Sequence, residues 1–131
     1  MSSHWQHDHS LLDDERYRTA VDLFNTREWY AAHDAFEELW HESIGEERAV
    51  FQGIIQIAVA EHHLRNGNRR GSLLLMAEGL NHLQASPPQN LSFEMHSLQA
   101  IVRQRLASLQ TGQTLDGIPL PVLEPIVPAK D

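Results

Sequence analysis

The chain has 131 residues, 41% of them apolar and 21% charged, which suits one domain with a genuine hydrophobic core. Its formal net charge of −8 disfavours nucleic acid, which is bound by clustered Lys and Arg; Arg65, Arg69 and Arg70 make only a small patch. With no cysteine there is neither a disulfide nor a thiolate metal site.

The opening MSSHWQHDHS has no apolar stretch and no basic start, so it does not read as a signal peptide. A cytoplasmic protein is the expectation. Residues 1–11, with His4, His7 and His9, read as a disordered lead-in to a helical domain over 12–112. Helix signals begin at Asp13, where Asp13, Asp14 and Glu15 suit a helix N-terminus and Tyr17, Ala20, Val21 and Phe24 keep a helical period. Asn25 and Thr26 break that pattern.

A second helix is predicted from about Glu28 to Ser43, with Gly45 as the terminating glycine. Within it His33, Phe36, Glu37 and Trp40 share one stripe. The two large aromatics should be buried, which would carry His33 and Glu37 inward with them. A buried histidine and carboxylate each need a partner, and the partners are expected on the next helix.

That third helix, about Glu46 to Asn66, is the longest, with apolar residues on more than one face. It is therefore expected at the centre of the domain. Gly53 and Ala58 leave little side chain, so a neighbouring backbone can come close; Gln52, Gln56, Val59 and His63 form its remaining stripe. Its most apolar run, Gly53 to Ala60, is far shorter than the roughly 20 residues that cross a membrane, so no membrane partner is expected.

Asn66-Gly67-Asn68 is a turn, and a fourth helix follows from about Arg70 to Ala85, with Leu73, Met76, Ala77 and Leu80 as its inner stripe. Ser86-Pro87-Pro88 stops it. Ser92 is the expected N-cap of a fifth helix that uses Leu98, Ile101, Val102, Arg105 and Leu109 and ends at Gly112. No segment alternates with the period of a strand. An all-α, antiparallel bundle of about five helices follows. The tail over 113–131 contains IPLPVLEPIVP, too rich in proline for a helix and too apolar for a free linker. It is expected to be extended and to pack on the domain or on a second subunit of a homo-oligomer.

The segments FNTREWYAAHDAFEELW and ERAVFQGIIQIAVAEHHLRNGNRRGS resemble the small helical family known as domain of unknown function 309, over roughly Leu23 to Leu83. The family pattern puts Glu where this chain has Asp34 and usually an aromatic where it has His62. The resemblance implies an all-α fold and no established activity. The Tyr-x-x-Ala arrangement is also distantly like tetratricopeptide hairpins, without a 34-residue repeat.

The motif positions converge on a polar site between helices two and three: His33, Glu37, Arg48, Gln52, Gln56 and His63. A structural network in which Glu37 pairs with Arg48 or His33 is one reading. A second is a divalent transition metal on His33, Glu37 and His63, supporting a hydrolase with metal-bound water as nucleophile. A third is a pocket for a small polar ligand or peptide, lined also by Trp29, Tyr30 and Trp40. The chain has neither HExxH nor a pair of Glu-x-x-His elements. A binding or scaffold role ranks first and the metal-dependent hydrolase second.

Overall fold

The computed structural model describes residues 14–85 and 93–126. Among them are five helices and no strand: α1 Glu15–Asn25, α2 Trp29–Glu42, α3 Gly45–Arg65, α4 Arg69–Gln84 and α5 Met95–Gln110. Consecutive helices pack pairwise, with α3 against both α2 and α4. No helix of the described residues is long and apolar enough to cross a membrane. His4, His7, His9 and the Ser92 cap lie outside the described residues.

Local chemistry explains where the helices begin and end. Asp14 caps α1 by accepting from the Arg16 amide at 2.8 Å. Asn66 caps the end of α3, Gly67 takes the turn at φ +80°, and Asn68 opens α4 by accepting from the Gly71 amide at 2.9 Å. Gly45 has a different place from the one expected: α2 is capped by Ser43, and Gly45, at φ +64°, is the first residue of α3.

Arg16 reaches from the Asp14 cap to Glu42 at the far end of α2, joining the two helix ends. Burial alone would raise the Asp14 carboxyl, but the hydrogen bonds and charge of Arg16 outweigh it and hold the group below its ordinary value. A depressed carboxylate stabilises the fold above its unfolded-state pKa, and that gain disappears as pH falls through the folded-state value. Asp14→Ala should therefore cost about 1 kcal/mol at neutral pH. In urea melts repeated at decreasing pH, the gap between variant and parent should close; a gap independent of pH would contradict this account.

Phe24, Trp29, Phe36 and Phe51 form the aromatic centre, with Phe24–Trp29 edge to face at 5.1 Å and Phe36–Phe51 at 5.9 Å. Ile54, Ile57, Met76, Leu83, Leu98 and Val102 extend this core through α3, α4 and α5. α3 is buried on more than one face, as its composition predicts. Where α3 crosses α4, Gly53 and Gly79 face each other; a Cβ on either would lie 3.0 Å from the other's carbonyl oxygen. Alanine, favourable in most helix interiors, would here push two backbones apart.

The inner face of α4 differs from the predicted stripe. Ser72, Met76, Gly79, Leu80 and Leu83 are buried, while Ala77 is exposed. The close approach at Gly79 sets which face of α4 meets α3.

Candidate functional site

The buried stripe of α2 is Trp29, Ala32, Phe36 and Leu39, continued by Ser43, whose hydroxyl bonds the Leu39 carbonyl at 2.7 Å. It is offset by one residue, about 100° of rotation, from the line through His33, Glu37 and Trp40. Trp29 and Leu39 supply enough apolar bulk on one side of Phe36 to centre the buried arc there. The expected interior site is corrected accordingly: His33 sits at the edge with 20% of its side chain exposed, and Glu37 is 47% exposed.

His33 has a carboxylate on each side of its ring. Nδ1 is shielded from solvent and lies 3.1 Å from Asp34 Oδ1, without the alignment of a hydrogen bond. Nε2 lies 3.6 Å from Glu37 Oε2. One donor atom from each of His33, Asp34 and Glu37 lies within 4.8 Å of the other two. The closest approaches, however, are to opposite ring nitrogens. An ion held at Nε2 would take Glu37 as its second ligand and leave Asp34 to orient the ring from Nδ1.

His63 is not in this cluster. Its Nδ1 is 3.5 Å from Asn68 Nδ2, at the turn after α3. His62 comes nearer to the α2 face, with its ring 5.4 Å from that of Tyr30, which in turn is 5.4 Å from His33.

Arg48 does not pair with Glu37. Its guanidinium lies over the Trp40 ring at 3.8 Å and donates, at 3.4 Å each, to the Trp40 and Ser43 carbonyls. Trp40 is half-buried under it, with Nε1 shielded and without a hydrogen-bond partner among the described residues. Gln52 is half-buried on the edge of α3. Gln56 turns to α4 instead of α2: it lies 2.7 Å from His82 Nδ1 and donates to Glu78 at 3.1 Å. Of the pocket-lining aromatics, Trp29 is core and Tyr30 is 58% exposed. A cleft of about 250 Å³ does exist, between α1 and the tail and lined by Tyr17, Val21, Asn25, Phe93, Leu123 and Pro125. It shares no residue with the predicted site.

Residues 17–75 match the family described as "Domain of unknown function (DUF309)". That match covers less than half of the chain. It runs from α1 into α4 and so contains His33, Asp34, Glu37, Arg48, Gln56, Glu61 and His62, whereas α5 and the tail lie beyond it. The chain is 30% identical over 105 residues to the uncharacterized protein YpuF of Bacillus subtilis (strain 168), an alignment covering 78% of this chain and 60% of that one. A second relative, an uncharacterized protein of Aquifex aeolicus (strain VF5), is 24% identical over 99 residues, covering 75% and 30% respectively. The chain thus spans less than two thirds of either relative.

Sequence reasoning missed three groupings: Asp34 with His33, His82 with Gln56, and Glu61 with Arg105. Arg105 offered a signal, because its spacing sets it on the apolar stripe of α5. A charge on such a stripe needs an opposite charge on the facing helix. Glu61, among the apolar residues of α3, was the available carboxylate.

Proposed function

We propose that this chain is a binding or scaffold domain whose contact surface is the outer face of α2 with the C-terminal end of α3. The observation that carries this reading is Tyr30, an aromatic left 58% exposed between α2 and α3 with the His33 and His62 rings beside it. An aromatic with a polar tip, surrounded by imidazoles and carboxylates, supplies both area and hydrogen-bonding groups to a polar ligand or a peptide. The test is an amide-spectrum screen of the isotope-labelled chain against pools of amino acids, dipeptides and divalent metal salts. Saturable shifts should centre on Tyr30, His33 and His62. A screen in which no pool moves those signals overturns the reading.

A second reading, favoured by the mutual proximity of His33, Asp34 and Glu37, is a divalent transition-metal site that could activate a water for hydrolysis. Calorimetric titration with zinc should then show one site per chain. His33→Ala should abolish it, and Glu37→Gln should weaken it by at least roughly tenfold. His63→Ala, outside the group of His33, Asp34 and Glu37, should leave it intact. Loss on His63→Ala, or zinc uptake that survives His33→Ala, would sink this assignment.

A further inference from the structure

The α2–α3 face has a chemical bias that narrows what it would bind. Its aromatic part is the run of rings His33, Tyr30 and His62, each neighbour 5.4 Å from the next and tilted by 42° and 47°. The His63 ring lies 6.3 Å from that of His62. Beside the row stand two carboxylates with open solvent access, Asp34 at 63% and Glu37 at 47% side-chain exposure. Two cationic side chains of these helices are engaged elsewhere: Arg65 donates to the Arg27 carbonyl at 2.8 Å, and Arg48 lies over the Trp40 ring and donates to the Trp40 and Ser43 carbonyls.

Aromatic faces carry negative electrostatic potential and attract cations, most strongly where carboxylates add full charge. The whole molecule works in the same direction, since a net charge of −8 steers cations toward it. An anionic ligand would meet the full charges of Asp34 and Glu37, with only the His33 imidazole between them. A neutral apolar ligand would leave both carboxylates unused.

Resting on the binding role of this face, we infer that it takes a basic peptide segment. The guanidinium or ammonium head of an Arg or Lys side chain would lie against Tyr30 and pair with Asp34 or Glu37. The contact is surface-exposed, so it should be weak for one side chain and sensitive to salt.

The experiment titrates the full chain with an end-blocked pentapeptide containing one Arg and one Lys among glycines, followed in the amide spectrum. Peptides of the same length with Gln or with Glu in place of the basic residues serve as comparisons. The basic peptide should shift Tyr30, His33 and His62 saturably. Binding should weaken roughly tenfold in Tyr30→Ala and in the Asp34→Asn/Glu37→Gln double variant. Tyr30→Phe, which keeps the ring face, should bind like the parent.

If the Gln or Glu peptide moves the same signals as strongly, the cation assignment is overturned while the face remains a binding surface. If the basic peptide moves none of them, the assignment is likewise overturned, and the ligand screen above decides separately whether the face binds anything. Shifts confined to other surfaces, or indifferent to both variants, also overturn it.

Discussion

Glu61→Leu should lower the unfolding free energy by about 3–5 kcal/mol, far more than any substitution on the α2–α3 face, because it strands a buried guanidinium. Glu61 and Arg105 are 2% and 3% exposed, and Arg105 grips the carboxylate with Nε at 2.6 Å and Nη2 at 2.7 Å. The remaining nitrogen donates to the Ile118 and Pro119 carbonyls at 3.2 and 3.3 Å, so one side chain links α3, α5 and the tail. Desolvating two charges offsets most of their attraction. The double variant Glu61→Leu/Arg105→Met should accordingly recover much of the loss, short of the tail contacts. Urea denaturation of both singles and the double closes the cycle. Singles that each cost under about 0.5 kcal/mol, the range of ordinary surface changes, would mean that water reaches the pair.

The second large effect is expected at the tail. Leu123 is wholly buried, and the Asn25 amide brackets it, accepting from its N–H at 2.8 Å and donating to its carbonyl at 3.0 Å. The Glu94 amide donates to the Glu124 carbonyl at 2.8 Å, and Phe93 forms a bridge with Pro125. Ending the chain after Gly117 removes all of these, together with the carbonyls that Arg105 holds. Burial of one leucine is worth about 1.5–3 kcal/mol. With the lost hydrogen bonds, the truncated chain should be destabilised by about 3 kcal/mol. At this domain size that corresponds to a fall in melting temperature of roughly 10 °C, readable by circular dichroism. An unchanged melt would show that the tail contributes nothing to the fold.

The His33 face illustrates why a local pattern can find the right residues and misjudge their environment. A helix that buries Phe36 can centre its inner arc on either neighbouring line of residues. Counting aromatics favours Trp40; the observed packing favours Trp29 and Leu39, and leaves Trp40 covered by Arg48 at the edge. One residue of rotation turns a buried pair into a half-exposed cluster. That same rotation brings Asp34 toward solvent beside His33.

By itself, the sequence determined the helices. Apolar periodicity, the acidic start of α1, the Asn-Gly-Asn turn and the diproline bound five segments, because these signals act within a few residues along the chain. It also marked α3 as central and Gly53 as a point of close approach. Only the tertiary structure decided which partners the polar side chains take. Gln56 meets His82, Glu61 meets Arg105 and Asn25 meets Leu123 across separations of 26, 44 and 98 residues. Each choice depends on the rotation of two helices, or on the path of the tail, to within a fraction of a turn. Local sequence leaves those angles open, and the packing of Gly53 against Gly79 and of Trp29 against Phe24 sets them.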